Sequence, residues 1–283
     1  MEKIYVTGTG VLTTHGFGVK QLPEIAELDK LRQTLIPAIA PADYGWRGLK
    51  NLSRSVQVGC MTIGQALFPA GIPGGQIKPN GKQDRVGLLI GTNHGNLEAI
   101  ASLYDDSQKY GVQKVNPGIF PETVLNVIGG HASIYFGFSG TNVTISCGHL
   151  SAIKALDYAC LLLERKQLDR AIVCLVNIMP PDVFAQTVFN TLPSFEQVVA
   201  LVLERQETCP QASMAVQVAV ELVSDSEPAK SLSIPPEHTV LAVAIAEEKL
   251  RNYREKQCCL LVSCGREGNY HVRLTREGSD VSR

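Results

Sequence analysis

Two reactive side chains stand two residues apart in the stretch TISCGHLSAIKALDYA, Thr144 to Ala159: the thiol of Cys147 and the imidazole of His149. A β-prone run leads into a turn of small residues, and a helix-forming run leaves it. The stretch looks like an active-site turn. At the N-terminus of a helix, backbone N–H groups and the helix dipole favour a thiolate, the nucleophilic form of cysteine. An imidazole works as a base when a partner group orients it, and no carboxylate accompanies His149 here. The i, i+2 spacing across a strand-to-helix turn does not obviously bring its ring onto the Cys147 sulfur.

The other cysteines are Cys60, Cys160, Cys174, Cys209, Cys258, Cys259 and Cys264. They form no C-x-x-C pair and no Cys/His spacing suited to zinc, so neither a metal nor a cofactor is expected. Several lie in apolar runs, where free cysteine acts as a small hydrophobe. No basic stretch followed by an apolar core opens the chain, and no run of about 18 apolar residues appears. The expectation is a cytoplasmic protein with reduced thiols and no membrane span. Of the 283 residues 45% are hydrophobic and 19% charged, with a net charge of −1. The core is therefore large, and nothing in the charge favours nucleic acid or an anionic membrane surface.

The elements that must position the turn alternate between strand and helix. Strands are expected at Lys3 to Val11, Arg85 into the turn ending at Asn96, Thr141 to Ser146, Asp169 to Val176, Gln197 to Arg205 and Ser213 to Asp225. Two more, joined by a glycine turn, are expected within Gln257 to Leu274. Helices are expected over Leu49 to Leu67, Leu97 to Tyr110, His149 to Lys166 and Pro235 to Arg254, and from near Pro121 past Gly129 and Gly130. Phe68 to Asp84 reads as a Pro/Gly-rich loop and Ser226 to Pro236 as a linker. This alternation predicts an α/β layered fold with a largely buried sheet.

In this order, the segments resemble the β-ketoacyl synthases. VTGTGVLTTHG (Val6 to Gly16) is similar to that family's opening V-T-G-x-G-x-x-T-P-x-G. VGLLIGTNHGNLEAI (Val86 to Ile100) is similar to its G-V-x-x-G-S-G-x-G-G strand and turn. NPGIFPETVLNVIGGHASIYFGFSG (Asn116 to Gly140) looks like N-P-x-x-x-P-x-x-x-x-N-x-x-A-G-x-x-S-I-x-x-G-x-x-G, and no gap is needed from Asn116 to Val176. In active members the acyl-accepting cysteine lies nine residues after the glycine matched by Gly140, which lands on His149. Downstream, Ser151, Ala155, Leu156 and Ala159 fall on the family's Ser, Ala, Leu and Ala. The two histidine motifs of active members, H-G-T-G-T and K-x-x-x-G-H, have no counterpart around His238, the one histidine between Ala219 and Leu260. VSCGREGNYHVRL looks like a decayed S-F-G-F-G-G-x-N-x-x-x-x-L, and the loop between Phe184 and Glu196 looks compressed.

The resemblance implies a thiolase-like αβαβα fold with a shortened C-terminal half: one domain over 1–283, divided into 1–190 and a reduced 191–283. It is closest to a truncated chain-length factor, the β subunit of type II polyketide ketosynthases. No catalytic residue is then expected. His149 would be a polar plug in a buried pocket or an assistant in malonyl decarboxylation, and Cys147 a packed small residue. The implied partners are an active ketosynthase α subunit and an acyl carrier protein bearing a phosphopantetheine-linked polyketide. The subunits would meet along the strand Val143, Thr144, Ile145, Ser146, with Asn126 and His131 near the interface. Pro121, Val124 and Ile128, at i, i+3, i+7 on one helical face, would wall the tunnel and set chain length. Glu122 and Asp157 have no expected role. The competing reading is an independent acyl-thioester enzyme of thioesterase or acyltransferase type, using Cys147 and His149.

Overall fold

The computed structural model describes residues 2–30, 35–68, 83–179, 195–209, 215–223, 231–253 and 255–276. The strands are β1 (Ile4–Thr13), β2 (Gly16–Phe17), β3 (Val86–Gly91), β4 (Asn142–Ile145), β5 (Arg170–Asn177), β6 (Gln197–Arg205), β7 (Val216–Val223), β8 (Leu232–Ile234), β9 (Gln257–Ser263) and β10 (Asn269–Arg276). The α-helices are α1 (Arg54–Leu67), α2 (Leu97–Tyr110), α3 (Val127–Phe136), α4 (Ser151–Glu164) and α5 (Thr239–Asn252). The mixed sheet runs β4-β3-β5-β6-β1-β7-β10-β9-β8, with β2 folded back on β1.

Alternation along the strands sorts the core into two layers. Leu89 on β3, Val173 on β5 and Leu201 on β6 face α4 and α5, which also pack against Val216, Val218, Val262 and Val272 of the C-terminal strands. The two helices thus lie between the two halves of the sheet. Leu88 and Ile90, Ile172 and Cys174, and Val198 and Ala200 face the opposite way, onto α1 and α3. A strand covered on both faces needs a continuous apolar run, and all of β6 is buried.

Strand order reveals an internal repetition. In the N-terminal half, β3, β5, β6 and β1 are neighbours, joined in turn by parallel, antiparallel and antiparallel pairing. The C-terminal run β8, β9, β10, β7 has the same sequence of directions. α4 leads into β5, and α5 leads into β9. Among the described residues the second half lacks counterparts of β4, α1, α2 and α3. Where β3 and β4 are separated by two helices, β8 passes into α5 through a single 3-10 turn, Pro236–His238. The helices packed on β7, β9 and β10 are α4 and α5, on the inner face. The outer face carries Gln217 and Glu221 on β7, His271, Arg273 and Thr275 on β10, and Gln257 on β9, with Arg273 and Glu221 4.0 Å apart. Ala219, Val223, Cys259 and Leu261 share that face, so it mixes polar and apolar side chains, while the inner face is the more apolar one.

Four sequence expectations are corrected. The first helix begins at Arg54, because Leu49–Ser53 form a turn ending at the N-cap serine. The last part of the expected linker, Leu232–Ile234, is a strand parallel to β9. The long helix before β5 starts at Ser151, two residues after His149. No α-helix starts near Pro121: Pro117–Thr123 is a 3-10 segment, Val124 is extended, and α3 begins at Val127. Two prolines lacking N–H groups, Pro117 and Pro121, disfavour an α-helix there. The loops expected over Phe68–Asp84 and Phe184–Glu196 lie largely outside the described residues.

β1 and α1 approach closely enough to exclude a side chain. A Cβ at Gly10 would lie 2.1 Å from the Thr62 carbonyl oxygen, and one at Gly8 2.0 Å from that of Ala66. Both obstacles are helix backbone and cannot rotate away. Gly10→Ala is expected to lower stability by about 3 kcal/mol in urea denaturation, the upper end for overpacking.

Candidate functional site

The carboxyl ends of β3 and β4 meet the N-termini of α2, α3 and α4, the usual place for a ligand crevice in an open α/β sheet. The turn after β4 is tied down by Ser151. Its Oγ accepts from Cys147 N at 3.0 Å, and contacts Thr92 O at 3.0 Å and Gly148 O at 2.6 Å as a donor. Gly148 adopts φ +61°, which a Cβ would disfavour. Thr92 N donates to Ile145 O at 3.0 Å, so the turn after β3 and the turn before α4 form one unit.

Cys147 and His149 are both exposed at this unit, on the open side of the α4 N-terminus. The expectation of a packed cysteine is therefore overturned, and His149 does not sit in a buried pocket of this chain. The reason is topological. Among the described residues β4 is the terminal strand of the sheet, so the turn leaving it has no described strand on its outer side. Iodoacetamide is expected to alkylate Cys147 well before Cys60, Cys160 or Cys174. Those three are buried, which pushes the Cys60 thiol up to about 12 and raises the other two as well. Peptide mass spectrometry after graded labelling reads the order.

The C-terminal hairpin closes on the same end of α4. Lys154 Nζ pairs with Glu267 Oε2 at 2.7 Å and reaches Tyr270 Oη at 3.1 Å. The Glu267 bond, then Tyr270, holds this ammonium well above the usual lysine range. Burial is the main cause raising the Cys264 thiol, and Cys147 adds to the shift. His238 occupies in the second half the place that the turn before α4 occupies in the first: it is the N-cap of α5, and its 3-10 turn packs on α4. Its ring stacks on Phe195 at 4.4 Å, and Nδ1 lies 3.3 Å from Gln197 Oε1. The sequence reading set His238 aside for want of a motif; only the repeated strand order places it.

The remaining expected site residues are dispersed. Pro121 and Val124 are exposed, whereas Ile128 is fully buried on α3 beside Gly59. They do not share a helical face, because the backbone between them is not helical. Asn126 is the exposed N-cap of α3, and His131 Nε2 lies 2.7 Å from Glu122 Oε1. Val143 and Ile145 pack half-buried against the α4 layer, Thr144 is half-buried and Ser146 is exposed. Asp157, half-buried beside Lys154 and Tyr270, has its carboxyl pKa raised chiefly by desolvation.

The turn after β3 adds residues that the sequence reading left unassigned. Gly95 N donates to Thr92 Oγ1 at 3.0 Å, which fixes Asn93 and His94 at the tip. Asn96 Nδ2 donates to Ser53 Oγ at 3.0 Å and to Glu122 O at 2.7 Å. A Cβ at Gly95 would come within 3.1 Å of Leu125 Cδ1. The turn is thus walled by residues 121–125 on one side and by the turn before α4 on the other. Burial lowers the His94 pKa, so its imidazole is neutral at pH 7.

The family model for the N-terminal domain of β-ketoacyl synthases matches residues 44–188, just over half of the chain, and the chain belongs to that family. Over 75 residues it is 33% identical to 3-oxoacyl-[acyl-carrier-protein] synthase 2 of Vibrio cholerae, a match covering 26% of this chain and 18% of that protein. The namesake from Vibrio harveyi is 32% identical over 75 residues, with the same coverage. The match spans less than a fifth of the length of these curated relatives. Among solved structures, a type II polyketide synthase acyl carrier protein in complex with its hexaketide-bound ketosynthase aligns at TM-score 0.77 and 13% identity, over 97% of this chain and 99% of that one. The ishigamide ketosynthase/chain length factor aligns at 0.71 and 15%, over 97% and 99%. A ketosynthase in complex with its chain length factor from Xenorhabdus doucetiae aligns at 0.60 and 14%, over 97% and 99%. The fold is thiolase-like and ketosynthase-like. No helix among the described residues is long and apolar enough to cross a membrane.

Proposed function

We propose that this chain is a non-catalytic chain-length factor, the β subunit that pairs with an active ketosynthase and shapes its polyketide tunnel. The observation that carries the reading is the residue at the mouth of α4. The nucleophile position, nine residues past Gly140, holds His149, and an imidazole is no stable acyl carrier. The chain's surface supports pairing. β4 is an open sheet edge, and beside it the segment from α2 to α3 leaves Ile100, Tyr104, Phe120, Val124, Leu125 and Ile134 exposed. Unpaired edges and clustered apolar side chains favour association with a partner. An acyl carrier protein with a phosphopantetheine-linked polyketide would deliver the chain, docking chiefly on the catalytic subunit. Pro121 and Val124 would then meet the chain directly, with Ile128 behind them.

Co-expression with an active ketosynthase followed by co-purification tests the reading, and a chain that stays monomeric in its presence refutes it. In the reconstituted pair, His149→Ala is expected to leave chain extension within about threefold of the parent, because no bond is made there. Product yield by mass spectrometry reads this, and complete loss of extension by an intact pair would assign His149 a chemical role. The exposure of Cys147 favours a second reading, an independent acyl-thioester enzyme. A stable acyl adduct on Cys147, formed from an acyl thioester without any partner, would select it.

A further inference from the structure

Cys147 and Cys264 stand on two segments that meet at the N-terminal end of α4. Cys147 N donates to Ser151 Oγ at 3.0 Å, and one turn along the helix Lys154 Nζ pairs with Glu267 Oε2 at 2.7 Å. Ser151 and Lys154, at i and i+3, are neighbours on one helical face. Glu267 N in turn donates to Cys264 O at 3.2 Å, and Cys264 N to Gly268 O at 3.0 Å, so Cys264 opens the hairpin turn that Lys154 holds. The two thiols are close enough for a charge on Cys147 to disfavour one on Cys264. Their exposure differs: Cys147 is open to solvent, whereas Cys264 is 7% exposed. Cys60 and Cys174 also share a core layer, but both are fully buried and meet no oxidant. Cys258 and Cys259 are consecutive on β9 and so point to opposite faces of the sheet.

We propose that Cys147 and Cys264 form a redox modification site, at which a peroxide joins them in a disulfide that fastens the C-terminal hairpin to the turn before α4. The Cys147 thiolate attacks one oxygen of hydrogen peroxide and breaks the O–O bond. It becomes a sulfenic acid, and the other oxygen takes a proton and leaves as water. Cys264 then attacks the Cys147 sulfur, and its proton leaves with the displaced hydroxide as a second water. Two thiols and one peroxide thus give one disulfide and two waters. Exposure assigns the roles: the open thiol meets the oxidant and the sheltered one resolves the sulfenic acid. Burial disfavours the Cys264 thiolate that this attack needs, and the Lys154 ammonium works the other way. In the reduced chain the hairpin hangs on an ion pair whose Glu267 end is half exposed, a weak fastening in water. The disulfide makes that fastening covalent and closes a long loop, from position 147 to position 264, which restricts the unfolded chain. The inference concerns the chain alone and does not rest on its pairing with a ketosynthase.

The test uses the full chain, treated with a small excess of hydrogen peroxide, blocked with iodoacetamide and digested without reductant. Peptide mass spectrometry is expected to find Cys147 joined to Cys264, with Cys147 lost to alkylation until dithiothreitol restores it. The oxidised chain should also unfold at a higher urea concentration than the reduced one. Cys264→Ser should abolish both the link and that shift, and should leave Cys147 as a sulfenic acid that dimedone captures. Lys154→Met should slow closure of the link severalfold, while the sulfenic acid on Cys147 forms at the parent rate. Linkage of Cys147 to a second chain, to Cys258 or to Cys259 overturns the proposal. Passage of Cys147 to the sulfinic acid with Cys264 still free overturns it too, as does an oxidised wild type with the urea midpoint of the reduced one. If Cys264→Ser does not fold, the peptide linkage of the wild type decides alone.

Discussion

Ile134→Asp abolishes pairing with a ketosynthase while leaving the isolated chain as stable as before. This is the expected result, and it follows from where Ile134 stands. The residue is 82% exposed on the outer side of α3, one position from Ser133, whose Oγ accepts from Asn142 Nδ2 on the edge strand β4 at 2.9 Å. An aliphatic side chain so exposed contributes almost nothing to the free chain, and its replacement should cost under about 0.5 kcal/mol of stability. At a dry interface aspartate forfeits apolar burial and buries a charge without a partner, so affinity should fall about 100-fold or more. Analytical ultracentrifugation of the mixed subunits, with urea denaturation of the chain alone, separates the two effects. Tyr253→Asp, at the exposed C-cap of α5, serves as the control and should leave pairing intact. An Ile134→Asp chain that still pairs would remove this surface from the interface.

Glu196→Ala should cause the largest loss of stability, about 3 kcal/mol or more. The Glu196 carboxylate is nearly fully buried at the start of β6 and accepts four hydrogen bonds. Arg54 Nη1 and Nη2 donate at 2.7 and 2.8 Å, Ile36 N at 2.8 Å and Met179 N at 3.0 Å. Arg54 Nη2 also reaches Ile36 O at 3.1 Å. One carboxylate thus fastens the start of α1, the segment before it and the loop after β5. Its bond to Arg54, foremost, raises that guanidinium's pKa. Removing the acceptor leaves two backbone N–H groups unpaired and a cation without its counter-ion, which is far costlier than replacing the whole network by apolar groups. Against a total stability of roughly 5–15 kcal/mol the change should be plain in urea denaturation. Glu196→Gln, which keeps the shape and part of the hydrogen bonding, should recover a portion of the loss.

Much of this architecture is legible along the chain. α2 runs from Leu97 to Tyr110 and β6 from Gln197 to Arg205, the bounds read from helical spacing and from an apolar run. These are long, strongly patterned segments, whose period states the element type. The 116–126 segment was less legible. The sequence places a helix from near Pro121, with Pro121, Val124 and Ile128 at a helical spacing, whereas α3 begins at Val127. Spacing reports which residues would share a face if the backbone were helical. It does not report that two prolines have removed the donors an α-helix needs, and so Val124 and Ile128 part company.

The amino-acid sequence by itself determined the alternation of strands and helices, the family resemblance, and the nine-residue count from Gly140 to His149 on which the proposed function rests. All three are local properties or counts along the chain, and they survive without coordinates. Only the tertiary structure decided that Cys147 and His149 are exposed, that among the described residues the second half repeats the strand order of the first without its outer helices, and that buried polar atoms lacking a hydrogen-bond partner among those residues gather around Asn93 and His94. Burial and hydrogen-bond satisfaction are set by residues distant in sequence, here the edge position of β4 and the meeting of three turns. A cysteine between a strand and a helix reads the same whether or not another strand lies beyond it, and the order of strands in the sheet settled that.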